Sequence, residues 1–143
     1  MTSRNLLSAA VAGIILTACA YPMPRSDATD RCNGPECTLT TTVTLKETGG
    51  CVIEVNIPTL HVQRGSGNVI FWDFALAGSA PAEFPDDGIV FKDPAAPFNC
   101  QKIENGKRFK CNNTHKAGEW DYTINAVSRG TRCEAYDPAI VNN

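Results

Sequence analysis

The 143-residue chain carries 13 Lys and Arg against 15 Asp and Glu, a formal net charge of −2, with 43% hydrophobic and 8% aromatic residues. That balance gives no basic footprint for a phosphate backbone, so DNA and RNA are excluded as partners. Once an N-terminal segment is set aside, the length supports one core with little margin of buried surface, which cross-links would strengthen.

Residues 1–18 read as a signal segment. Arg4 precedes an apolar run over 6–18 that is too short to span a bilayer as a helix but suits a signal peptide. The run closes on Leu16-Thr17-Ala18-Cys19, which resembles the lipobox of bacterial lipoproteins. The resemblance implies cleavage before Cys19 and acylation of that cysteine. Several acyl chains, at about 0.8 kcal/mol per buried CH₂, then anchor the protein essentially permanently. Ala20 follows the cysteine where inner-membrane lipoproteins of this kind carry aspartate, which implies the outer membrane, with the protein facing the periplasm. An ordinary secretory signal cut nearby would instead leave Cys19 as an odd, free cysteine. Residues 19–31 read as the lipidated cysteine and a flexible tether rich in Pro, Asp, Ser and Thr, and 32–143 as the folded domain.

Residues 38–46 alternate, with Leu39, Thr41, Val43 and Leu45 on one face, and 51–57 put Cys51, Ile53, Val55 and Ile57 together; both predict strands. Pro58 breaks the pattern, 60–63 read as a short strand, and the turn over 64–68 leads into the apolar stretch 69–76. Strands are also expected over 88–92, 99–104, 107–111 and 119–127, the last with Trp120, Tyr122, Ile124 and Ala126 on one face. Residues 139–141, after Asp137-Pro138, predict a final edge strand, and no segment has a helical period. Seven to nine short strands separated by turn signals argue an all-β sandwich.

Apart from Cys19 there are six cysteines, Cys32, Cys37, Cys51, Cys100, Cys111 and Cys133, and an oxidising compartment makes three disulfides the default. Asn105-Gly106 is a two-residue hairpin signal. Counting outward from it, Glu104 faces Lys107, Ile103 faces Arg108, Lys102 faces Phe109, Gln101 faces Lys110 and Cys100 faces Cys111. This register favours a Cys100–Cys111 bond at a hydrogen-bonded pair, where Cα atoms lie about 5.5 Å apart, with a bulge to adjust the geometry. Cys32 and Cys37 flank a turn-rich Asn-Gly-Pro-Glu loop short enough to close locally, which by elimination would leave Cys51 with Cys133. Sequence alone leaves the connectivity of those four open. A zinc cluster is the rival use of cysteine, but there is no C-x-x-C pair.

Ile57-Pro-Thr-Leu-His-Val-Gln-Arg-Gly65 followed by Asn68-Val-Ile-Phe-Trp-Asp73 resembles the second and third strands of cupredoxins. Ala117-Gly-Glu-Trp-Asp-Tyr-Thr-Ile124 is similar to their penultimate strand, and Asp137-Pro-Ala-Ile-Val141 to the closing strand of many cupredoxin-like domains. The resemblance covers much of 52–141 and implies a Greek-key β-sandwich. Blue-copper members hold the metal with two histidines, a cysteine and usually a methionine, three of them in the loop after the penultimate strand. Here that loop, 125–132, has neither histidine nor methionine. Thr123 and Ile124 stand where the cysteine is expected, Cys133 arrives late, and Met23 lies in the tether. The scaffold is therefore expected without type 1 copper and without a cofactor. The alternative is copper bound outside a blue centre by His61 and His115, the two imidazoles of the chain.

Glu83, Asp86, Asp87 and Asp93 form an acidic loop punctuated by Pro81, Pro85, Gly88 and Pro94 but without EF-hand spacing, and Phe84, Phe91 and Phe98 suggest that part of it packs down. Glu83, Phe84, Asp86 and Asp87 are the candidate partner-binding residues, on a stretch, 78–97, expected to insert into a partner. Lys102, Lys107, Arg108 and Lys110 make a basic patch that reads either as a guarded edge or as an acidic-partner contact. Trp72 and Trp120 read as core. No G-x-S-x-G, H-E-x-x-H or P-loop occurs, and oxidation leaves no cysteine to pair with histidine, so no enzyme activity is expected. The expected function is that of a periplasm-facing binding module anchored to the membrane by lipid, one version being an immunity or inhibitor protein against a cell-wall-degrading enzyme.

Overall fold

The computed structural model describes residues 31–75 and 80–143. The expected signal segment 1–18, the lipidation site Cys19 and the tether up to residue 30 lie outside the described residues, as does the start of the 78–97 stretch. No helix among the described residues is long and apolar enough to cross a membrane.

Alternating side chains set the longer strands. In chain order these elements are β1 (Arg31–Cys32), β2 (Glu36–Leu45), β3 (Cys51–Val55), β4 (Thr59–Val62), β5 (Val69–Phe74), β6 (Ala82–Glu83) and β7 (Ile89–Phe91). They continue as β8 (Phe98–Ile103), β9 (Arg108–Asn113), β10 (Gly118–Ile124), β11 (Val127–Ser128), β12 (Thr131–Arg132) and β13 (Ala139–Asn142). Leu39, Thr41 and Val43 are buried along β2, as are Cys51, Ile53 and Val55 along β3 and Trp120, Tyr122 and Ile124 along β10, as a period of two requires. Leu45, at the end of β2, stays 39% exposed. The strands missed by the sequence reading, β1, β6, β11 and β12, have two residues each, too few to carry an alternation.

Two five-stranded mixed sheets, ordered β1-β4-β13-β10-β7 and β3-β2-β5-β9-β8, enclose the core, and a small sheet β12-β11-β6 closes one end. The strand expected at an edge, β13, is instead central, parallel to β4 and antiparallel to β10. The run Ala139-Ile140, buried on both sides, has the unalternating apolar character of a strand flanked by neighbours. Across the sandwich, Trp72 of one sheet donates its indole N–H to the Tyr122 hydroxyl of the other at 3.2 Å, with the rings edge to face at 5.4 Å. Burial pushes the Tyr122 phenol far above its ordinary pKa, so this acceptor stays protonated.

All six domain cysteines are bonded, as Cys32–Cys37, Cys51–Cys133 and Cys100–Cys111. The β8–β9 register pairs Ile103 with Arg108 and Cys100 with Cys111, the register counted from the sequence. The turn differs from the expected two-residue loop, because Glu104 (φ 53°), Asn105 (φ 54°) and Gly106 (φ 84°) are all left-handed, so Ile103 and Arg108 close the ladder around a four-residue loop. Gly106 is required there twice over, since a Cβ would also lie 2.9 Å from the Phe84 carbonyl. This shifts the hydrogen-bond alternation by one residue. The cysteine Cα atoms approach to 4.0 Å, the close spacing of a non-hydrogen-bonded pair, and no bulge is needed.

Candidate functional site

One end of the sandwich is fastened where the chain enters. Arg31 and Cys32 pair with His61 and Val62 in β4, while Asn113 and Asn142 exchange buried side-chain amide bonds of 2.9 and 3.1 Å between the sheets. Five residues along β9 from Asn113, a distance of about 17 Å at strand rise, lies Arg108, in one cross-strand row with Thr40 and Asp73. Here a cleft of about 750 Å³ opens, lined by the outward-facing Thr38, Thr40, Asp73 and Arg108, by Glu104 and Lys107 of the hairpin turn, and by the apolar wall Phe74, Ala80, Pro81.

The cleft has a fixed polar floor. Arg108 binds Asp73 through two nitrogens at 2.5 Å each, reaches Glu104 at 3.6 Å, and stacks over Phe71 at 4.9 Å. The hydrogen bonds to Asp73 raise the guanidinium pKa further, so Arg108 is a permanent cation held rigid by a fork-on-fork pair. Lys107 donates to the Ala82 carbonyl at 3.4 Å. Acids and bases balance here, so the cleft offers a neutral, preformed array of donors and acceptors beside an apolar wall. Such chemistry suits recognition.

The residues expected to bind a partner are spread apart. Phe84 is 1% exposed, stacks on Phe74 at 4.2 Å and meets Phe109 edge to face. It is a core residue and cannot contact a partner, which corrects its assignment. Asp87 is paired with Arg132 at 2.6 Å, and that guanidinium, mainly through its hydrogen bonds, holds the carboxyl below its ordinary range. Asp86 pairs with Lys102 at 2.6 Å, and Glu83 sits exposed on β6. From residue 80 onward the stretch expected to insert into a partner is woven into the domain. It supplies β6 and β7, Phe84 N–H donates to Gly106 O at 2.8 Å, and the Asn125 amide donates to Asp87 O at 2.7 Å. The basic patch is likewise divided: Lys102 and Arg108 are held in ion pairs, Lys107 donates to a backbone carbonyl, and Lys110 shows no ion pair among the described residues.

His61 lies half-buried on β4, beside Val141 of β13. His115, left-handed at φ 61°, holds its Nε2 2.6 Å from Asn68 Oδ1. With the domain cysteines spent in disulfides, no three His, Cys, Asp or Glu side chains among the described residues gather into a group that could hold a metal.

The cleft escaped the sequence reading because its residues come from β2, β5, the hairpin turn and the segment after residue 79; the signal available was the outward row of Thr38, Thr40, Asp73 and Arg108, polar residues of adjacent strands. No protein-family model matches the chain, and no curated protein is significantly similar to it.

Proposed function

We propose that the protein is an outer-membrane lipoprotein, acylated at Cys19 and facing the periplasm, whose disulfide-bonded, cupredoxin-like sandwich acts as a binding module for a protein partner. The observation that carries this reading is the cleft floored by the Asp73–Arg108 pair. Preformed, charge-balanced and partly apolar sites bind with little ordering cost. The concrete version is an immunity or inhibitor protein that blocks a cell-wall-degrading enzyme.

The test is titration of the purified protein, made soluble by Cys19→Ser, into muramidase and amidase assays on isolated cell walls. Stoichiometric inhibition of one activity, weakened at least tenfold by Thr40→Arg, which fills the cleft, is expected. Absence of inhibition for every enzyme tried overturns the inhibitor version.

A further inference from the structure

The edge strand β8 carries a feature that the cleft does not explain. Among the described residues it is the last strand of its sheet, six residues long, with β9 on one side only. Natural edges of that length are guarded by proline, bulges or free lysines. β8 has no proline and runs in unbroken register from Phe98 to Ile103, and its lysine, Lys102, is neutralised by Asp86 at 2.6 Å.

The ladder fixes which backbone groups are left over. Thr114 N–H donates to Pro97 O at 2.9 Å, and the Cys100–Cys111 pair has the close spacing of a non-hydrogen-bonded site. Asn99, Gln101 and Ile103 therefore spend their peptide groups on β9, whereas Phe98, Cys100 and Lys102 turn theirs outward. Side-chain position follows the same alternation. Beside the free edge lies a groove of about 410 Å³ whose lining includes Ile89, Val90, Phe91 and Phe98 as the apolar part and Asp86 and Asp93 on its rim. Phe91 of the other sheet's edge strand, β7, stacks on Phe98 at 4.1 Å, so the two edges meet at the groove, and Val90 is 44% exposed beside it.

We infer that β8 is a docking edge for an extended segment of a partner protein, which adds a sixth strand to the sheet through the peptide groups of Phe98, Cys100 and Lys102. Charge complementarity selects the segment's chemistry: apolar residues against Phe91 and Phe98, with Lys or Arg against Asp93, since Asp86 is already paired with Lys102. The Cys100–Cys111 bond ties the edge to β9 before docking, which limits the ordering cost to the incoming segment. This inference rests on the reading that the domain works by binding protein, but it concerns a surface separate from the Asp73–Arg108 cleft, so hydrolase inhibition can fail while strand addition holds.

The probe is a nine-residue synthetic peptide of alternating valine and lysine, titrated into the ¹⁵N-labelled full chain carrying Cys19→Ser. Amide shifts confined to β7, β8 and their flanks are expected, together with slowed hydrogen exchange at Phe98, Cys100 and Lys102. N-methylation of alternate peptide nitrogens, or glutamate in place of lysine, should each weaken binding at least tenfold. Lys102→Pro, which removes an outward N–H and no ladder bond, should abolish it. Should that variant misfold, the N-methylated peptide alone still decides. Equal binding of the N-methylated peptide, shifts centred on Arg108, or self-association through β8 that excludes the peptide would each overturn the proposal.

Discussion

Removing the disulfides one at a time should rank their contributions by the loop each closes. Cys51–Cys133 spans 82 positions, Cys100–Cys111 spans 11 and Cys32–Cys37 spans 5. The chain-entropy relation then gives about 4.5, 2.8 and 2.1 kcal/mol in that order. Cys51 and Cys133 are 4% and 6% exposed, so alanine at both also leaves a small buried void that adds to the loss. The bond fastens β3, at one sheet edge, to the segment after β12, where Glu134 N–H donates to Cys51 O at 3.0 Å. Equilibrium urea unfolding of the three paired Cys→Ala variants, without reductant, reads the difference. At a slope of about 1.5 kcal/mol per M, the Cys51/Cys133 variant should lose about 3 M in midpoint, against about 1.4 M for Cys32/Cys37. A Cys51/Cys133 midpoint no lower than that of the Cys32/Cys37 variant would refute the reasoning and locate the stabilisation in native contacts or a structured denatured chain.

Other expectations follow from single contacts. Phe84→Ala should cost about 3–5 kcal/mol in urea unfolding as a core truncation, and a loss under about 1 kcal/mol would return Phe84 to the surface. Tyr122→Phe should cost about 1–3 kcal/mol because it leaves the Trp72 indole N–H unpaired in the core; a neutral change in the same assay would mean that the N–H finds another acceptor. Hydrogen bonds from Arg132, Lys46 and, for Asp137, first Thr123 and then Lys92 hold Asp87, Glu134 and Asp137 below the usual carboxylate range. Folded pKa values below the unfolded ones mean stability that is present above about pH 4 and lost as pH falls through the folded values. Urea midpoints should therefore be flat from about pH 7 to 5 and fall below about pH 4, less steeply in Arg132→Ala, and a midpoint that rises on acidification would contradict the sign.

Much of the architecture was legible because alternation is a local property. Leu39, Thr41 and Val43, or Trp120, Tyr122 and Ile124, announce their faces without reference to any other strand, and Asn105-Gly106 sets the hairpin register by itself. What depends on distant partners was not legible. The central place of β13 follows from β4 and β10 lying on both sides of it. Phe84 stands among carboxylates in sequence yet points into a cluster with Phe74 and Phe109. Asp73 and Arg108 are separated by 35 positions and meet only through the β5–β9 pairing. The basic and acidic runs looked like opposed patches because sequence cannot show Lys102 closing on Asp86 or Arg132 on Asp87.

The functional reading depends first on the anchor, and membrane fractionation of cells producing the full chain or its Cys19→Ser variant tests it most directly. The unaltered chain should sediment with outer membranes and Cys19→Ser should appear in the soluble periplasmic fraction. Retention of Cys19→Ser in the membrane fraction would contradict the account.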